Sequence, residues 1–131
     1  MNSGSLCVLL TLLATSAAAR ALTQADLYRI EAVNHGLNAR LQTSTPTASD
    51  RTGSVYAMDK AYRLLMSGYG PGEVRLAIVL DEKGEIHSVA EVIGTLKSKP
   101  VTIVLDQRLP WTASRSDLER TGYTWLAEFA R

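Results

Sequence analysis

The sequence has little cysteine and little charge of either sign in excess. Cys7 is the only cysteine among 131 residues, so the chain cannot close an internal disulfide. The formal net charge is +1, which gives no reason to expect a nucleic-acid partner or a polybasic contact with a membrane. Apolar residues make up 46% and charged residues 21%, which is the composition of an ordinary globular protein, and the length predicts a single folded domain.

The N-terminus has the pattern of a secretory signal. Residues 6–14 form a short apolar run, and residues 15–19 are small, with Ala17 and Ala19 placed as in a cleavage site before Arg20. The run is too short to span a bilayer, which needs about 20 apolar residues. We therefore expect residues 1–19 to be a signal peptide, residues 20–131 to form the domain, and the protein to be periplasmic or secreted.

The first five residues carry no Lys or Arg, so a retained membrane-anchoring segment remains an alternative. If the signal is removed, Cys7 leaves with it. The mature chain then has no thiol, so it has neither a thiolate nucleophile nor a cysteine-ligated metal. No membrane contact is expected after that cleavage.

Two helices are predicted before the strands. Residues 23–42 have apolar side chains at helical spacing, with Thr23 and Asp26 placed as a capping pair at the start and His35 on the solvent side. Residues 54–67 form the second helix, which should end at Gly68. Its side chains expected to lie on the sheet are Val55, Met58, Ala61, Tyr62 and Leu65.

Three strands are predicted over residues 74–80, 85–93 and 101–106. Each is rich in β-branched residues and is bounded by Gly, Pro or a polar cluster, and the short loops favour an antiparallel meander. If the second hairpin turns about Leu96 and Lys97, His87 lies opposite Asp106, within reach of a hydrogen bond. After Asp106 we expect a polar loop or helical turn, and then an aromatic tail that packs back on the domain.

The His87–Asp106 pair following a helix start is the skeleton of a Cys-His-Asp site. In such a site the nucleophile begins the helix, the His takes its proton and the Asp fixes the His tautomer. Spacing alone also fits a structural cross-strand pair. A metal site would need a third ligand, and Glu91 lies on the same strand face as His87, two positions along that face. We expect no metal and no cofactor.

Several motifs in order resemble the bacterial transglutaminase-like cysteine peptidases, the periplasmic group that includes adhesin-releasing proteases. The first helix contains EAVNHGLNARL, and residues 59–80 resemble the family's helix, Gly–Pro turn and apolar strand. His87-Ser88-Val89 and the VLDQ sequence ending in Gln107 resemble the strands that carry the catalytic His and Asp. The motifs LPW and TGYTWL, over residues 109–111 and 121–126, match the family's end. The resemblance implies an α+β papain/transglutaminase-like fold with helices packed on a short antiparallel sheet.

The chain departs from the family where the family's second helix opens with GDCEDY. An ungapped alignment places Gly53, which has no side chain, at the position of the nucleophilic Cys. The flanking acidic residues, implicated in calcium binding in some members, correspond to Thr52, Ser54 and Val55. None of these is a carboxylate, so the calcium site does not carry over.

Three hypotheses follow from these residues. The first is a degenerate peptidase in which His87 and Asp106 persist as a remnant pair and the cleft binds an extended peptide of a periplasmic or cell-surface protein. The second is an active hydrolase with Ser54 or Thr52 as nucleophile, although Ser54 is turned about 100° from the Cys direction. The third is a purely structural domain. The sequence leaves the oligomeric state open.

Overall fold

The computed structural model describes residues 19–41 and 54–130, so the predictions for the signal and for Thr52 and Gly53 lie outside the described residues. Two helices precede a five-stranded sheet. The helices are α1 (Gln24–Leu41), α2 (Ser54–Met66) and the short α3 (Arg115–Arg120), and the strands are β1 (Val74–Leu80), β2 (Ile86–Leu96), β3 (Lys99–Leu105), β4 (Ala113–Ser114) and β5 (Thr124–Ala130).

The sheet is antiparallel between its strands and has the order β4-β3-β2-β1-β5. The predicted meander is confirmed as its centre, and the aromatic tail packs back by forming β5 beside β1. Within the described residues, β5 has a neighbour on one side only and is therefore an edge strand. No described helix combines the length and hydrophobicity that crossing a bilayer requires.

Helix α1 begins as predicted. The Asp26 carboxylate accepts from the Thr23 amide at 2.8 Å, and the Thr23 hydroxyl accepts from the Asp26 amide at 3.1 Å. This reciprocal pair satisfies amide groups that a helix start leaves open. Ile30 and Leu37 of the predicted stripe are fully buried, and His35 is exposed.

The predicted turn between β2 and β3 is wrong by one position. The turn residues are Lys97 and Ser98, both with positive φ (51° and 65°), and Leu96 lies opposite Lys99. Two consecutive left-handed residues make the tight hairpin turn whose twist matches that of the strands. His87 and Asp106 are therefore diagonal neighbours beyond the last ladder pair, not directly opposite each other.

The two faces of the sheet pack against different elements. One face meets α1 and α2 in a cluster that includes Ile30, Leu64, Ala90, Val92 and Leu105. The other face meets α3 and the chain entering β5, in a second cluster. Because side chains alternate along a strand, neighbouring residues of β2 belong to different clusters.

The predicted buried face of α2 is wrong for three of its five residues. Val55, Met58 and Tyr62 are exposed. The side that packs inward carries Tyr56, Ala57, Lys60, Ala61 and Leu64. The helix is rotated from the predicted orientation because the Lys60 amine has buried partners on α1, described below.

Candidate functional site

His87 and Asp106 form a buried pair. His87 Nε2 lies 2.8 Å from Asp106 Oδ2, and neither side chain has measurable exposure. A carboxylate only accepts hydrogen bonds, so Nε2 carries the proton of this contact. The predicted contact is therefore present, although its register is diagonal.

The Asp106 carboxylate accepts hydrogen bonds from two further donors. The Tyr123 hydroxyl donates to Oδ2 at 2.8 Å, and the Arg108 amide donates to Oδ1 at 2.9 Å. Burial alone would raise the pKa of Asp106, but the hydrogen bonds from His87, Arg108 and Tyr123 outweigh it and hold the pKa below its usual range. Burial and the Asp106 charge raise the pKa of Tyr123 well above its usual range, so its hydroxyl remains a donor.

The main chain at Asp106 is held from the opposite side of the sheet. Asn38 Nδ2 donates to the carbonyls of Asp106 (3.1 Å) and Leu109 (3.0 Å). Lys60 Nζ donates to the side-chain oxygens of Asn34 (2.8 Å) and Asn38 (2.7 Å). Burial lowers the pKa of Lys60 to about 8, and the Asp106 charge partly offsets the fall. The two helices thus fix the segment that carries Asp106.

Sequence reasoning missed Lys60, Asn38 and Tyr123 as parts of this arrangement. A signal was present for the first two: the paired asparagines lie four residues apart on α1, so their side chains share one face and can bind one buried amine. Tyr123 is expected from the sequence only as part of the aromatic tail that packs on the domain. Its hydroxyl needs a partner when it is buried, and Asp106 supplies one.

The start of α2 does not face His87. Ser54 Oγ lies 3.4 Å from Ser88 Oγ, and Ser88 follows His87 on the same strand, so the two side chains point to opposite faces. His87 instead packs edge-on against Tyr123, with ring centroids 6.1 Å apart. Its Nδ1 atom is buried and has no hydrogen-bond partner among the described residues. The pair therefore lies behind the sheet as seen from α2.

This geometry does not support Ser54 as a nucleophile activated by His87, because the two lie on opposite faces. A metal is not supported either: within residues 19–41 and 54–130, no three His, Cys, Asp or Glu side chains are grouped as ligands. Glu91, the possible third ligand, accepts instead from Trp125 Nε1 at 2.7 Å.

Comparison with known proteins agrees with this fold. No protein-family model matches the chain, and no curated protein matches it. The solved structure of Legionella pneumophila LapG, in an EGTA-treated form, is similar with a TM-score of 0.55 at 14% sequence identity. The similarity covers 74% of this chain and 61% of the LapG chain, so this chain matches about three fifths of LapG. The chain therefore has an α+β fold, helices packed on an antiparallel sheet, similar to that of LapG over the matched part.

Proposed function

We propose that this protein is a catalytically inactive relative of the transglutaminase-like peptidases that binds an extended segment of a periplasmic or cell-surface protein. The observation that carries the proposal is the direction of His87. Its ring is buried behind the sheet, while the start of α2 faces Ser88. Gly53, at the family's nucleophile position, offers no attacking atom. In this proposal His87 and Asp106 are a remnant pair that now stabilises the fold.

A groove on the α2 side of the sheet is the proposed binding site. It begins at the two serine hydroxyls and has a volume of about 130 Å³. Its walls are formed by Ser54, Ala57, Met58, Leu76, Ala77, Ile78, Ser88 and Phe129. A cavity of about 150 Å³ holds one benzene molecule, whereas drug-sized ligands need about 300 Å³ or more. The groove therefore fits one apolar side chain of a larger partner.

Edge strand β5 supplies the second element of the proposed site. Phe129 of β5 is 51% exposed and lines the groove. An extended peptide can add to a free sheet edge through main-chain hydrogen bonds while one of its side chains enters a neighbouring pocket. The edge contains no Pro and no Lys, the residues that commonly block such pairing.

Binding is tested with fluorescein-labelled ten-residue peptides that carry Leu or Phe at alternate positions, followed by fluorescence anisotropy. We expect saturable binding that Phe129→Lys weakens at least tenfold. Trp111→Lys, at an apolar residue that is 71% exposed outside the groove, is the matched control and should bind as the wild type does. Equal binding by both variants, or no binding by the wild type, would contradict the proposed site.

Inactivity is tested separately with a fluorophosphonate probe and with the same peptides as substrates. We expect neither labelling nor cleavage, because loss of a nucleophile removes several powers of ten in rate. Labelling that Ser54→Ala or Thr52→Ala abolishes would establish the hydrolase alternative instead. Cleavage abolished by His87→Ala would also overturn the proposal.

A further inference from the structure

The outward side of α2 carries a row of exposed apolar side chains. Val55 is 43% exposed, Met58 52%, Tyr62 63% and Met66 70%. We call these four residues the α2 stripe. Their spacing of three, four and four residues places them on one side of the helix. Isolated exposed apolar residues are common, but a continuous row over a whole helix marks an interaction surface.

We propose that the α2 stripe binds the α2 stripe of a second copy of this chain, with the two helices antiparallel about a twofold axis. Apolar residues at this spacing form the seam of paired helices. A twofold axis lets one surface serve both copies, so a single stripe is sufficient. The inference goes beyond the proposed function, and of the stripe residues Met58 alone is shared with the peptide groove.

Charges beside the stripe favour a second copy and set its direction. Asp59 and Arg63 border a surface groove together with Tyr62 and Met66. When Asp59 is placed opposite Arg63 of the second copy, symmetry repeats the pair, and Val55 comes within one residue of Met66 of that copy. A parallel twofold arrangement would instead place the Asp59 and Arg63 flanks of the two helices on opposite sides of the seam, where this ion pair does not form. In the antiparallel pair, apolar side chains therefore face each other along the seam, and opposite charges face each other beside it.

The expected association is weak. Stable interfaces bury about 1,200–2,000 Å² in total. The area that four side chains on each copy can bury lies below the middle of that range. The charged pairs at the rim add mainly orientation and salt sensitivity. A concentration-dependent dimer is therefore expected, not a permanent one.

The test is sedimentation equilibrium of the purified protein over a wide concentration range at low ionic strength. We expect the average mass to rise from one chain towards two, and Tyr62→Glu to abolish the rise. Tyr28→Glu, at a tyrosine of α1 that is 69% exposed, is the matched control and should leave association unchanged.

Charge reversal tests the twofold arrangement. Asp59→Arg alone and Arg63→Asp alone should each remain monomeric, and an equimolar mixture of the two should associate, because opposite charges then face each other between the copies. Failure of the mixture to associate while the wild type dimerises would overturn the antiparallel pairing. A wild-type protein that stays monomeric and loses stability on Tyr62→Glu would show that its own chain covers the stripe, which also overturns the proposal.

Discussion

The hydroxyl of Tyr123 donates to Oδ2 of Asp106 over 2.8 Å in the interior of the domain. Tyr123→Phe removes this donor and leaves the ring in place. We expect the free energy of unfolding to fall by about 1.5–3 kcal/mol, the usual contribution of a hydrogen bond to a charged group. Urea denaturation measures the change. Tyr28→Phe, at an exposed site, should change stability little; equal losses from both substitutions would mean that the Asp106 contact contributes nothing.

Stability should fall in acid because the pKa of Asp106 is lower in the folded protein than its value of 3.8 in the unfolded chain. A carboxylate of this kind contributes stability above the unfolded pKa and loses the contribution as the pH falls through the folded pKa. Asp106→Asn should therefore be less stable than the wild type at pH 6, and the difference should shrink below about pH 4. Thermal unfolding of both proteins across this range checks it. The Asp106→Asn variant should retain some acid sensitivity, because the pKa of Asp26 and that of Asp81 are also lowered.

Glu91 should make the protein less stable as the pH rises, whereas Asp106 makes it less stable as the pH falls. Burial raises its pKa to about 8, and the neighbouring Glu128 carboxylate adds to the rise, against Trp125 and Arg115. Above the unfolded pKa of 4.5, the unfolded chain releases this proton while the folded protein keeps it, so stability decreases as the pH rises to about 8. Glu91→Gln keeps an oxygen acceptor for Trp125 and carries no proton to lose. We expect its stability to change less between pH 5 and pH 8, and identical pH profiles would contradict the assignment.

Gly94 should tolerate no side chain, because the segment before α1 runs close beside β2 there, through a parallel bridge between Ala21 and Thr95. An added Cβ would lie 2.7 Å from both the Arg20 carbonyl oxygen and Leu22 Cγ. The same segment bonds to Thr95 through the Leu22 amide (2.9 Å). Gly94→Ala should cost about 1–3 kcal/mol by overpacking and increase hydrogen exchange at residues 20–22.

Gly36 provides the matched control for Gly94. It lies inside α1, and a Cβ there would meet nothing within 4 Å. Gly36→Ala should stabilise the protein by about 0.5–1 kcal/mol, because alanine is the better helix former. A loss of stability at position 36 similar to that at position 94 would mean that the loss at Gly94 is not due to its close contact with the segment before α1.

The sequence predicted the sheet better than its register. Continuous β-branched runs locate β1, β2 and β3, because burial on both faces demands them. The predicted turn is one position away from the observed one because the two positive-φ positions of such a hairpin turn are normally occupied by Asn, Asp or Gly. Here Lys97 and Ser98 occupy these positions. The His87–Asp106 contact could be predicted because a shift of two residues keeps side chains on the same face.

The orientation of α2 could not be predicted from hydrophobicity. Lys60 is buried because two asparagine oxygens of another helix bind its amine, a compensation that depends on tertiary contacts. Ranking residues by polarity therefore placed Lys60 outside and Tyr62 inside. The same error concealed the fact that Ser88, and not His87, faces the start of α2.

Alternation along β2 also bears on any attempt to engineer a working protease from this scaffold. A Gly53→Cys change alone would create a thiol at the residue before α2, while the imidazole of His87 stays on the far side of the strand. The base would have to move one position along, by Ser88→His, before proton transfer between the two became geometrically feasible. We therefore expect the single cysteine variant to remain inert towards peptides, whatever the reactivity of its sulfur.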